Sequence, residues 1–151
     1  MEGVIRRASE TDVSRIVHVV CEAYKHYIPR IGSPPGPMTD DYYLQVAQGN
    51  VWVLVLGAEL VGVLVLRPKS DHMLLHNVAV QPERQGSGFG RQLIDFAEAW
   101  ARRCGYKEIQ LYTNAGMHEN LAMYTKLGYQ EFSRGFQSGF HRVFLKKTLG
   151  Q

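Results

Sequence analysis

The sequence predicts a mixed α/β fold, and three observations carry that expectation. Three apolar runs rich in β-branched residues, 51–56, 60–66 and 73–80, read as strands. Leu93, Phe96, Ala97, Trp100, Ala101 and Cys104 then repeat at helical spacing, as one buried helix face would. Strand-like and helix-like segments alternate beyond it, giving the order β-α-α-β-β-β-α-β-α-β-β.

Each element has its own local reason. Residues 4–8 read as a short first strand. Ser9, with Asp12 three residues on, forms an acidic variant of a capping box. Val13, Ile16, Val17, Val20 and Cys21 then mark a helix reaching about Tyr27. Residues 28–38 hold four prolines and two glycines, which argue against helix and sheet alike. An ordered loop over the core is expected there, then a short helix from Thr39, its N-cap, to Ala47. Gly57-Ala58-Glu59 joins the first two strong strands as a hairpin. Pro68 ends the second of them, and 73–80 follows as a third. Gly105 suits the residue just past the main helix. Residues 108–113 alternate like a strand, 120–127 form a short helix closed by Gly128, and 129–132 and 141–145 are closing strands.

A chain of 151 residues fits one domain over 1–151 with a full-sized core. Its 45% hydrophobic and 21% charged residues are ordinary for a globular protein. The net charge of +3 is scattered, too weak a footprint for nucleic acid but suited to an anionic small molecule. Cys21 and Cys104 are expected as reduced, mostly buried thiols. The N-terminus lacks the apolar core of a leader, and 51–56 is far short of a membrane span. A cytoplasmic location follows, without membrane or nucleic-acid partners. A homodimer is compatible with the sequence, but no feature establishes one.

The most informative stretch is 78–94. An apolar strand stops at Pro82, glycines stand at 86, 88 and 90, and a helix begins. Small residues let a ligand approach the backbone, and a helix N-terminus offers unpaired N–H groups to phosphate. Two phosphate loops are excluded. A P-loop needs a second glycine where Arg91 stands, followed by lysine, and no lysine occurs between Lys69 and Lys107. A dinucleotide fingerprint needs a third glycine where Arg91 or Leu93 stands.

Gln85-Gly86-Ser87-Gly88-Phe89-Gly90 instead matches the [Gln/Arg]-x-x-Gly-x-[Gly/Ala] motif of the GNAT N-acetyltransferases. Asn77-Val78-Ala79-Val80-x-Pro82 resembles that family's central strand. Residues 120–129 resemble its Asn-x-x-Ala-x-x-x-Tyr-x-x-x-Gly-[Phe/Tyr] element: Tyr124, Gly128 and Tyr129 keep the Tyr-x-x-x-Gly-[Phe/Tyr] spacing, and Asn120 and Ala122 precede them at a shorter spacing than the family's. The succession of elements agrees over roughly 3 to 148. The resemblance implies a mixed, mostly antiparallel sheet flanked by helices, with a splayed central strand. It implies acetyl-CoA as co-substrate and no metal. The pyrophosphate is expected on the backbone of Gln85, Gly86, Ser87, Gly88, Phe89, Gly90 and Arg91, with the Arg91 side chain adding charge. The pantetheine arm is expected along Val78, Ala79 and Val80, with Asn120 bonding it or capping the last helix.

Acetyl transfer by direct attack in a ternary complex needs a neutral amine, a stabilised thioester oxygen and a proton for the leaving thiolate. The resemblance makes Tyr124 the general acid. It also shares a helix face with Leu121 and Leu127, as a core tyrosine would. Many family members carry an acidic base on the central strand, but 73–80 has no Asp or Glu. His76 stands there instead, on the face of Leu74 and Val78, and histidine titrates in the range a proton relay needs. A histidine merely packed on the sheet face is an equal reading. A metal held by His72 and His76 fails, because four strand residues separate them by about 13 Å.

The acceptor is expected to be a primary amine on a small molecule or peptide. Tyr24, Tyr27 and Met38 are candidate wall residues, since the proline loop lies where the family keeps its acceptor segment. Glu22, Asp40 and Asp41 are further groups able to hold an ammonium or a base water, though each reads first as solvated surface, and Tyr42 or Tyr43 could supply apolar contacts or equally be packing. A non-catalytic acyl-CoA sensor is the competing function, and nucleotide binding at the glycine loop is a third.

Overall fold

The computed structural model describes residues 3–150. The one-domain expectation and the reading of the N-terminus include Met1, Glu2 and Gln151, which lie outside the described residues. Seven strands form one sheet in the order β1-β2-β3-β4-β5-β7-β6: β1 Val4–Arg7, β2 Val51–Leu56, β3 Glu59–Pro68, β4 Met73–Val80, β5 Glu108–Asn114, β6 Gln130–Gln137 and β7 Phe140–Thr148. The helices are α1 Val13–Tyr24, the single turn α2 Ile28–Ile31, α3 Tyr42–Ala47, α4 Phe89–Arg103 and α5 His118–Lys126. Strand β4 runs parallel to β5, whereas β1–β2, β2–β3, β5–β7 and β6–β7 are antiparallel. The fold is the mixed α/β sheet the sequence predicts. No helix among the described residues is long and apolar enough to cross a membrane.

The contacts group into two compact units. The first runs through Leu66 and includes Asn77–Ala97; the second comprises Arg67–His76 and the chain from Glu98 onward. In the first, Val51, Val53 and Leu54 of β2 and Val61, Val63 and Leu64 of β3 are fully buried, so these strands carry the continuous apolar runs of sheets covered on both faces. Helix α1 adds Val13, Ile16, Val19 and Val20. Its entry is fixed by Asp12, which accepts from the Ser9 N–H at 2.8 Å and from Arg6 at 2.8 and 3.0 Å. In the second unit, Met73 and Leu75 pair with Ile109 and Leu111, and these join Val143 and Leu145 in the core.

Several local expectations are corrected. Residues 28–38 are not free of helix: Ile28–Ile31 make one α turn and Gly36–Thr39 a 3₁₀ turn. Each carries its proline in the first turn, where a missing N–H costs nothing. The cap of α3 is Asp41, which accepts from the Leu44 N–H at 3.1 Å; the Thr39 hydroxyl donates back to the Gly36 carbonyl instead. The closing hairpin is longer than its apolar pattern suggested. Ser138 and Gly139 both have positive φ, 53° and 82°, the tight turn that holds β6 and β7 together beyond their apolar residues. Cys21 and Cys104 are free thiols, but Cys104 is exposed and Cys21 only half-buried. The buried stripe of α4 stops at Ala101, short of Cys104.

Candidate functional site

In the first unit, β4 leads into a turn and then into α4. Pro82–Arg84 form a 3₁₀ turn, and the Gln85 side chain donates to the Val80 carbonyl at 3.1 Å, tying the loop to the strand end. Gly86 and Gly88 are left-handed, with φ of 83° and 86°, and a Cβ on either would meet nothing within 4 Å. Their lack of a side chain therefore answers a backbone conformation that L-residues avoid, and leaves the space before them open. The Gln92 N–H bonds the Gly88 carbonyl at 3.0 Å, so the first-turn N–H groups ahead of it are those a helix leaves unsatisfied. Ser87 and Arg91 are exposed, and Arg91 pairs with Asp95 one turn on at 3.2 Å. Phe89 and Gly90 are half-buried, Gly90 lying against Val80. Upstream, Gln81 Oε1 is buried without a hydrogen-bond partner.

The same unit engages the second half of β4 from α1 and α3. Tyr24 is 7% exposed, and its hydroxyl lies 2.8 Å from both Asn77 Oδ1 and the Val78 carbonyl. One proton serves one acceptor at a time, so this donor is shared. The Asn77 amide donates to the Tyr42 hydroxyl at 3.0 Å, which donates to the Pro37 carbonyl at 2.6 Å. Tyr27 is buried between His26, 4.0 Å away ring to ring, and the Arg30 guanidinium at 5.0 Å. Met38 is half-buried on the 3₁₀ turn. The parallel pairing of β4 with β5 covers Met73–Leu75 opposite Ile109–Leu111, while β4 itself continues to Val80.

In the second unit, His76 is half-buried and sits edge-on to Tyr112, ring centroids 6.1 Å apart, with Nδ1 3.4 Å from the Tyr112 hydroxyl. Tyr124 is 6% exposed and packs edge-on to Tyr129 at 5.6 Å. Burial pushes its hydroxyl well above the ordinary tyrosine range, because the phenolate would lose its water. Tyr129 donates to Glu98 at 2.9 Å, and Glu98 also accepts from Lys147 at 3.0 Å. Asn120 is not the cap of α5. The helix starts two residues earlier, after Met117, because the Asn114 side chain accepts from the Gly116 N–H at 2.8 Å and turns the chain there. Asn120 lies in the first turn.

Residues 15–129 match the model of the acetyltransferase (GNAT) family. The chain belongs to the GNAT acetyltransferase family. It is 32% identical over 120 residues to the uncharacterized N-acetyltransferase YvbK of Bacillus subtilis, covering 77% of this chain and 70% of that one. It is 26% identical over 107 residues to N-acetyltransferase family 8 member 3 of Rattus norvegicus, covering 67% of this chain. It spans only about half, 47%, of that relative's length. Among solved structures, the PaiA N-acetyltransferase of Thermoplasma acidophilum in complex with coenzyme A superposes with a TM-score of 0.83 at 18% identity, covering 98% of this chain and 99% of that one. At that identity the likeness speaks for the GNAT fold.

Three features of this GNAT chain escaped sequence reading. Glu98 lies on the buried face of α4, one turn from Ile94, and a charge at such a position was the available signal. Asn77 is a polar residue inside an apolar strand, and burial with two tyrosine partners explains it. Tyr112 and Arg142 sit on neighbouring antiparallel strands, and nothing local announces their meeting.

Proposed function

We infer that this chain is an acetyl-CoA-dependent N-acetyltransferase acting on a primary amine, with 1–151 working as one domain. One observation carries the reading: Gly86 and Gly88, left-handed and open, set in the turn between β4 and the first turn of α4. That turn suits a pyrophosphate, since it presents first-turn backbone N–H groups and open space at both glycines. Gln85, Ser87, Phe89, Gly90 and Arg91 complete the loop, and Arg91 adds charge once its surface pair with Asp95 yields. The backbone of Val78, Ala79 and Val80 suits an extended pantetheine arm, with Asn120 as a further polar group for it. Bound acetyl-CoA supplies an activated acyl group open to attack by an amine.

The residues of the chain then divide the proton work. Tyr124, a hydroxyl protonated at neutral pH, is the candidate donor to the departing thiolate; its burial raises the pKa further and makes it the weaker acid until the site is charged by the leaving sulfur. His76, oriented by Tyr112, is the candidate acceptor for the amine proton. Tyr24 holds the Val78 carbonyl, and Tyr27 and Met38 line the proline segment offered to the acceptor. The two free thiols accord with a cytoplasmic setting.

Release of free thiol from acetyl-CoA, followed across a panel of primary amines, tests the reading. Turnover with at least one amine is expected. Tight acetyl-CoA binding with no turnover on any acceptor supports the sensor reading instead, and stabilisation by ATP or NAD but not CoA overturns both.

A further inference from the structure

The second unit carries a sheet face that is aromatic and cationic. Arg6 and Arg15 face Asp12, Arg84 faces Glu59, Arg91 faces Asp95, Arg102 faces Glu98 and Arg134 faces Glu131. Arg142 of β7 differs. Its guanidinium lies 4.4 Å from the Tyr112 ring centroid and 5.6 Å from that of Phe140, and Nη1 donates to Gln137 Oε1 at 2.8 Å. Among the described residues no carboxylate lies within ion-pair distance of it. On the same face Lys146 lies 5.1 Å from the Phe132 ring, while the nearest carboxylate along β5, Glu108, stands four residues from Tyr112 and accepts from the Gln110 amide at 2.6 Å. Gln137 engages Nη1, and Nε and Nη2 make no hydrogen bond to the described residues. That is the arrangement that receives a planar oxyanion through two parallel hydrogen bonds.

Tyr112 links this cation to the candidate base. His76 meets the ring at its hydroxyl end, and Arg142 lies against the same ring. We propose that Arg142 binds the carboxylate of the amine acceptor while His76 receives its amine, so that the acceptor is a small amino-carboxylate. The inference rests on the acyl-transfer reading and names the substrate class within it. The reaction balances without a further reagent. The amine nitrogen forms the amide bond and the thioester C–S bond breaks. The amine proton passes to the base, and the sulfur leaves as the thiol of CoA. The carboxylate stays chemically unchanged.

Matched pairs differing only in the carboxylate test it: β-alanine against ethylamine, and 4-aminobutyrate against propylamine. The intact protein is expected to favour one carboxylate-bearing member by roughly 10- to 100-fold in kcat/KM, the range of a charge-assisted pair. In R142Q that ratio should fall toward one, mainly through KM. R142K, which keeps charge but loses the fork, should fall between. Equal use of both members by the intact protein overturns the proposal, as does an unchanged ratio in R142Q. Ligand-observed NMR with 4-aminobutyrate, with and without coenzyme A, separates this inference from the reading beneath it. Binding lost in R142Q but without turnover keeps the carboxylate site and removes the acetyltransferase. Turnover of propylamine with no preference for 4-aminobutyrate does the reverse.

Discussion

The hydroxyl of Tyr24 lies 2.8 Å from the carbonyl oxygen of Val78, so a side chain of α1 holds the backbone of β4 at the point where the glycine loop is about to begin. A buried donor shared between a carbonyl and the Asn77 amide oxygen leaves both acceptors short when it is removed. Tyr24→Phe is expected to cost about 1–2 kcal/mol of stability and to raise KM for acetyl-CoA several-fold. Denaturant melts and initial rates check both. A variant with wild-type KM would show that the tyrosine only packs.

Tyr124→Phe keeps the aromatic packing on Tyr129 and removes the proton. A fall in kcat of about 100-fold is expected, the usual contribution of general acid catalysis, with a melting temperature near that of the parent. An unchanged kcat across the pH profile removes the acid role and returns Tyr124 to the core. In parallel, His76→Ala should lower kcat about 100-fold; a variant that keeps the parent's rate and pH profile eliminates His76 as the base.

Glu98 sits 6% exposed beneath Tyr129, bonded to both its hydroxyl and the Lys147 ammonium. Glu98→Ala strands a cation and a hydroxyl together, and a loss of about 3 kcal/mol is expected. Glu98→Gln, which can still accept from Tyr129, should lose less. Urea midpoints compare the two, and equal losses would place the effect in packing alone.

Asp12 links stability to pH. Its hydrogen bonds to Arg6, together with the Ser9 N–H, hold its carboxyl down to about 2, below the ordinary 3.8. A carboxyl lowered on folding stabilises wherever it is ionised in both states. Its contribution is therefore whole above about pH 4 and fades as pH falls toward 2. Because Arg6 is half-exposed and screened, the effect is on the order of 1–2 kcal/mol. Asp12→Asn should lose that amount at pH 7 and almost nothing more between pH 4 and 2. Melts at pH 7 and pH 3 measure the difference, and an equal drop in both proteins would place the acid sensitivity elsewhere.

The residues that were legible in the sequence act through their neighbours in the chain. Strands β2, β3 and β4 follow from apolar runs whose period belongs to the strand itself, and β4 spans the residues expected of it. The glycine turn is legible because positive φ and open space demand glycine locally. The proline segment misled for the same reason. Proline breaks a helix interior but suits a first turn, and only the surrounding packing decides which position it holds.

By itself, then, the sequence determined the order of the strands and of every helix but the single turn α2, the glycine turn after β4 and the GNAT kinship, since these depend on spacing over a few residues. Only the tertiary structure decided what each polar group faces. Tyr24 turned to Val78, Glu98 met Lys147 across 49 residues of chain, and Arg142 came to lie over the Tyr112 ring. Such pairs join strands and helices far apart in sequence, and their cost or benefit arises from desolvation, which exists only once the chain has folded around them.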